Sequence, residues 1–237
     1  MDYRDAQTGT TKDYFWFEAK DGLIEVLFGK VKGQGPLKIL NLGAGTGRDI
    51  EIVRRFGQVY VVDIDPRALD LIPDELVVEK KAVDARSLPY PDGFFDRVAA
   101  FDVLEHIEKD EEAIREIRRV LKKGGSFIFT VPAFPFLYSA HDKALDHFRR
   151  YDRRALEGQL SGFDLIETGY WVCSLFPLIA AFRLLKRNDP APKVGLLPLP
   201  RAVDRLFFYL LKAENRLIEK GVHLPFGVTL YGICRKP

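Results

Sequence analysis

The chain has 237 residues, the size of one domain or of one domain with an insertion. Hydrophobic residues make up 47% and charged residues 30%, and the signs nearly cancel at +2. Such a chain can bury a full core, which excludes wholesale disorder, and it lacks the strongly basic balance of a nucleic-acid binder. Cys173 and Cys234 form no CxxC pair, so neither a disulfide framework nor a cysteine zinc site is expected. The start, MDYRDAQTGTTKDY, has no apolar core of a signal peptide, and the longest apolar run, Leu175 to Ala181, is broken by Pro177. That run is far short of the ~20 residues that span a bilayer, so a cytoplasmic protein is the expectation.

In chain order, Phe15, Leu23, Leu27 and Val31 fall on helical spacing within 11–32, closed by Gly33 and Gly35. Residues 37–42 (LKILNL) read as a buried strand, followed by a glycine cluster and a short helix ending near Phe56. Residues 59–62 give a second strand, and Asp65-Pro66 opens a helix. Strands are expected at 76–83, 97–101 and 126–131. A helix capped by Asp110 lies before the last of these, with Lys122 and Lys123 near its end and Gly124-Gly125 closing it. Strand and helix patterns thus alternate from 37 to 131, which indicates a parallel sheet covered on both faces. Beyond it come a helix at 152–160 and strands at 163–172 and 228–234. Between those last two strands, 175–224 reads as a helical insertion. Its apolar stripe, Val203, Leu206, Leu210, Ala213 and Leu217, repeats at three and four. The stripe is expected to be buried as the insertion packs over the acceptor side, with Arg201, Arg205, Lys212 and Arg216 on the outer face.

Chemistry concentrates at the strand ends. The first strand runs into Gly43-Ala44-Gly45-Thr46-Gly47, glycines that let a ligand approach the main chain before a helix. A dinucleotide fingerprint would place its third glycine at position 48, where Arg48 stands. Asp63 ends the second strand, twenty residues after Gly43, where a carboxylate can accept both hydroxyls of a ribose. Asp84 and Ala85 follow the third strand, the acid able to accept an adenine amine and the alanine leaving room for the ring. These three places share the carboxyl edge of one sheet, the usual ligand side of such folds. After the fifth strand, the loop 132–151 holds His141 and His147, Arg149 and Arg150, and Tyr138 and Tyr151. His147, then His141, is the candidate general base, and the two arginines, with Tyr138 and Tyr151, are the candidate acceptor-binding groups. No metal site is expected.

The segments 41–47, 61–66, 84–85, 94–96, 102–106 (DVLEH) and 120–125 occur in that order. As a set they resemble the class I S-adenosylmethionine (SAM)-dependent methyltransferases of the type 11/12 kind, over roughly 37–170. The resemblance implies a Rossmann-like, doubly wound α/β fold with a seven-stranded sheet in the order 3-2-1-4-5-7-6, strand 7 antiparallel. One domain would then span 1–237, with a helical lid at 1–35 and the helical insertion at 175–224. It also implies SAM as cofactor and S-adenosylhomocysteine as product. Gly43, Ala44, Gly45 and Gly47 would lie at the methionine part and Asp63 at the ribose. Ile64, Asp84 and Ala85 would flank the adenine, and Phe101 would offer main chain to the cofactor amine. In Tyr14 to Lys20 (YFWFEAK), within the lid, aromatic packing is favoured over contact with a sulfonium, and His106 is favoured as structural. The expected function is methyl transfer to a small-molecule, glycan or lipid-linked oxygen or nitrogen, with no nucleic-acid partner. An NAD(P)-binding oxidoreductase and a non-catalytic SAM-binding module are the alternatives. The nine Lys/Arg and four acidic residues of 175–224 add peripheral contact with an anionic membrane as an expectation for that segment.

Overall fold

The computed structural model describes residues 14–31, 33, 35–190 and 199–237. Helix α1 (Phe15–Gly29) precedes strand β1 (Lys38–Leu42), α2 (Ile50–Val53), β2 (Gln58–Asp63), α3 (Pro66–Asp70) and β3 (Glu79–Ala82). Then come β4 (Phe95–Phe101), α4 (Asp110–Val120), β5 (Leu121–Pro132), α5 (Ala140–Ala144), α6 (Arg153–Gln159) and β6 (Asp164–Trp171). Helices α7 (Phe176–Leu185) and α8 (Arg201–Glu219) lie between β6 and β7 (Thr229–Arg235). The expected positions 11–13 and 32 of the first helix, and 191–198 of the insertion, lie outside the described residues.

The seven strands hydrogen-bond in the order β3-β2-β1-β4-β5-β7-β6, with β7 antiparallel to both neighbours, as expected. Alternate side chains along each strand point to opposite faces, so each face has its own core. Ile39, Val59, Val61, Ala99 and Ile128 join α1, α2 and α8 on one side. Leu40, Leu42, Val98, Phe127 and Phe129 join α4 and α6 on the other. Local chemistry fixes the helix starts. Asp65 accepts from the Arg67 amide with Pro66 in the first turn, and Asp152 accepts from the Arg154 and Ala155 amides. Asp110 is the first residue of α4 rather than its cap.

One expectation about the insertion is corrected. Helix α8 does not bury the stripe Val203, Leu206, Leu210, Ala213 and Leu217; Leu206, Leu210 and Leu217 face solvent. Its buried face carries Leu211, Glu214, Asn215 and Ile218, with Phe207 and Phe208 partly covered. The Asn215 side chain donates to the Ala19 carbonyl at 2.7 Å, and Asp204 accepts from the Phe15 amide at 3.0 Å. Glu214 accepts from the Cys173 and Ser174 amides at 3.0 and 2.7 Å. Buried polar groups must find such partners, and here they tie α8 to α1 and to the end of β6. Thus α8 packs against the N-terminal helix.

Candidate functional site

Strand β1 delivers the chain into the glycine loop at the carboxyl edge of the sheet. Gly43 has φ 66°, and a Cβ there would lie 2.6 Å from Val103, so only glycine lets the two loops approach. Gly47 has φ 74° and abuts Ile72 in the same way, which makes it a packing residue. Asp63, at the end of β2, accepts from the Gly45 amide with one oxygen and from the Asp65 amide with the other, each at 2.9 Å. A carboxylate has about four acceptor positions, so this anchoring leaves roughly two for a pair of hydroxyls. Ile64 beside it is 74% exposed, an uncovered apolar surface at the mouth.

Asp102 follows β4 in the left-handed backbone region, φ 53°. Its carboxylate accepts from the Thr130 hydroxyl at 2.9 Å and from the Lys20 ammonium, which arrives from α1. Burial pushes the Asp102 carboxyl up, but Lys20 and then Thr130 outweigh it and hold the pKa at about 2. Arg48 after the glycine loop reaches Asp21 of the same helix at 3.0 Å. Two ion pairs therefore clasp α1 over the strand ends. The aromatic residues of α1 pack inward: Phe15 and Phe17 are buried, and the Trp16 ring lies 5.4 Å from Trp171.

The loops at the strand ends enclose a cleft of about 260 Å³ lined by Gly43, Gly45, Asp63, Ile64, Asp84, Ala85, Asp102, Val103, His106 and Ile107, together with Leu145 and Asp146. The volume is close to the lower end of the roughly 300–1,000 Å³ usual for small-ligand sites. Of the expected cofactor residues, Gly43, Gly45, Asp63, Ile64, Asp84 and Ala85 converge there. Ala44 and Gly47 do not line it, and the Phe101 side chain is buried in the core on the α1 side. Asp84 is engaged by Arg86, whose hydrogen bonds hold its carboxyl below the usual range. Asp102, Val103 and Ile107 also line the cleft, and sequence reading gave them no place there; the turn after β4 was the available signal.

The loop 132–151 departs from its expected role. Arg149 donates to Asp110 at 2.6 Å and Tyr151 to the same carboxylate at 2.7 Å. Arg150, buried, donates to Asp142 at 2.8 Å and to the Ala133 carbonyl at 3.0 Å. Tyr138 donates to the His147 carbonyl at 2.7 Å. All four are thus committed to bracing the loop, and none lines the cleft, so a free arginine clamp for an acidic acceptor is not what the fold provides. His141 lies on α5 outside the cleft lining. His147 stands behind His106, ring centroids 4.5 Å apart at 88°, and His106 is the histidine that reaches the cleft. Burial first, and His147 second, pull the His106 pKa down to about 3, so its imidazole is neutral.

Residues 40–129 match the model of the methyltransferase domain family. Over this stretch the chain is similar to the class I SAM-dependent methyltransferases. The ubiquinone/menaquinone biosynthesis C-methyltransferase UbiE of Bordetella avium is 31% identical over 112 residues, 42% of this chain and 43% of that protein. The enzyme of the same name from Pseudomonas savastanoi pv. phaseolicola is 32% identical over 122 residues, 44% and 46% of the two chains. The chain therefore spans less than half the length of these curated relatives. Among solved structures, the [4+2]-cyclase SpnF superposes with a TM-score of 0.61 at 23% identity, covering 93% of this chain and 82% of that one. Phosphoethanolamine N-methyltransferase 2 of Haemonchus contortus, in complex with SAM, gives 0.60 at 18% identity, covering 91% and 52%. The fold is common to both, and their names show that it serves more than one reaction. SAM is the cofactor of this domain family, and the cleft presents an anchored carboxylate with spare lone pairs, the uncovered apolar surface of Ile64, and two glycines, Gly43 and Gly45, from its loop.

Proposed function

We propose that the chain binds SAM in this cleft and transfers its methyl group to a small-molecule or lipid-linked acceptor. The observation that carries this reading is Asp63, anchored by the Gly45 and Asp65 amides at the mouth of a cleft whose loop is glycine. Its remaining lone pairs hold the ribose hydroxyls, and Ile64 covers one adenine face. Lys20 and Asp102 bring an ammonium and a carboxylate together at the β4 end, complementary to the carboxylate and ammonium of an amino-acid tail. When bound, SAM supplies a methyl carbon already activated by a sulfonium. The protein's task is then alignment of acceptor, carbon and sulfur along one line. Neutral His106 faces the acceptor side of the cleft. The test is transfer of labelled methyl from SAM to a metabolite and lipid extract: one labelled acceptor class supports methyl transfer, and SAM binding without any transfer favours the non-catalytic module.

A second surface bears on where the acceptor is met. Leu178 and Leu185 on α7, and Leu206, Tyr209 and Leu210 on α8, are exposed, and Arg201, Arg205, Lys212 and Arg216 lie among the latter. No helix among the described residues is long and apolar enough to cross a membrane. We infer that the outer face of α8 rests on an anionic membrane, its apolar residues at the headgroup boundary and its basic ones against phosphate.

A further inference from the structure

Glu105 sits in the turn Leu104–His106 directly after the cleft wall and has no exposed surface. Among the described residues, neither of its carboxylate oxygens has a hydrogen-bond partner. An unpaired buried carboxylate is costly whether it is ionised or carries a proton with nowhere to donate it. One ligand atom from each of Glu105, His106 and His147 falls within 4.8 Å of the others. Bonds of ~2.1 Å to a tetrahedral centre place ligand atoms about 3.4 Å apart, so side-chain rotations that move the ligand atoms by about an ångström close the set. Neighbouring structure holds the three groups in place. The Phe148 amide donates to the Glu105 carbonyl at 2.8 Å, which fixes the loop bearing His147 against the turn. Asp142, itself paired with Arg150 and Arg183 at 2.8 Å each, lies 3.4 Å from His147 Nδ1 and can orient the ring.

We propose that Glu105, His106 and His147 bind one divalent first-row transition ion of the zinc type. Two imidazoles and one carboxylate suit such an ion, whereas magnesium and calcium prefer all-oxygen sets. This departs from the sequence expectation of no metal, because His106 and His147 are separated by forty residues and meet only through the fold. Three protein ligands leave at least one coordination position open. Since His106 lines the cleft, that position faces the place where an acceptor oxygen would lie. This last clause alone rests on the methyl-transfer reading.

The test uses the full chain without a histidine tag, stripped with chelator and titrated calorimetrically with Zn²⁺, Co²⁺ and Mg²⁺. One Zn²⁺ or one Co²⁺ per chain is expected, Co²⁺ with a visible ligand-field band, and Mg²⁺ is expected to bind far more weakly. His147→Ala and Glu105→Gln should each weaken Zn²⁺ binding about tenfold or more and erase the cobalt band. Affinity for SAM, measured without metal, should stay within about twofold in His147→Ala, since that side chain stands behind the cleft wall. Glu105→Gln replaces a core residue, so its melting temperature is read alongside; His147→Ala decides if that variant unfolds. No Zn²⁺ binding by the wild-type chain, or binding indifferent to His147→Ala, overturns the site. Zn²⁺ binding by a chain that fails to bind SAM would uphold the site and remove the methyl-transfer reading.

Discussion

Asp63 ends β2 and Asp102 follows β4, the strands on either side of β1, yet they carry different loads. Asp63 is anchored by two amides and keeps lone pairs for a ligand, so Asp63→Ala should weaken SAM binding by about 1.5–3 kcal/mol, the usual value of a hydrogen bond to a charged group. Calorimetry of that variant checks it, and an unchanged affinity would remove the ribose role. Asp102 is paired with Lys20, and its carboxyl pKa is held at about 2 against an ordinary value of 3.8. A depressed carboxylate contributes stability that is present above pH 4 and is lost as pH falls toward 2. The pair therefore contributes on the order of 2 kcal/mol at neutral pH. Lys20→Met should lose that amount near pH 7 and show a flatter stability profile between pH 4 and 2, measured by urea unfolding at each pH. A wild-type profile with no extra acid loss in that window would contradict the pairing.

Elements show where sequence pattern is informative and where it misleads. The alternation from 37 to 131 located all five parallel strands. Strands β1, β4 and β5 stood out because strands buried on both faces leave continuous apolar runs between turn signals. Edge strand β3 (EKKA) is charged and was found only by its place in the alternation. Asp63, Asp84 and the glycine loop were legible for the same reason: their strand-end positions follow from the strands. Helix α8 was assigned the wrong face because its buried side holds Glu214 and Asn215, whose partners at Ser174 and Ala19 are distant in sequence. Hydrophobic periodicity cannot register a polar residue that tertiary hydrogen bonds have satisfied. The observed register makes a direct prediction. Leu211→Ala, in the buried face, should cost about 2–5 kcal/mol, whereas Leu210→Ala, on the outer face, should stay within about 0.5 kcal/mol. Urea denaturation of the two variants distinguishes the faces, and the reverse order would restore the stripe read from the sequence. The acceptor loop failed for a related reason: Arg149, Arg150 and Tyr151 read as free polar chemistry, but Asp110 and Asp142 come from elsewhere in the chain or fold back onto them.

Over the whole molecule, α1, α8 and the sheet edge make one connected arrangement. Helix α1 is tied to the strand ends through Lys20 and Arg48, and α8 covers the other side of α1 through Asn215 and Asp204. The same α8 turns its uncovered leucines and basic residues outward. Liposomes containing anionic lipid should therefore sediment the protein at low salt and release it at high salt, because exposed charge is screened beyond about 10 Å at 0.1 M salt. Leu206→Ser together with Arg205→Ser should reduce that binding, and equal retention by neutral and anionic vesicles would leave the outer face of α8 without a membrane role. The most direct measurement for the whole arrangement is calorimetric titration of the intact chain with SAM, S-adenosylhomocysteine and NADH, repeated with Gly45→Val. Gly45 has φ 51° and lines the cleft, so a branched side chain there is strained and occupies ligand space. One SAM or one S-adenosylhomocysteine per chain, no heat with NADH, and loss of both ligands in Gly45→Val is the expected result; NADH binding in place of SAM, or SAM binding unaffected by Gly45→Val, would contradict it.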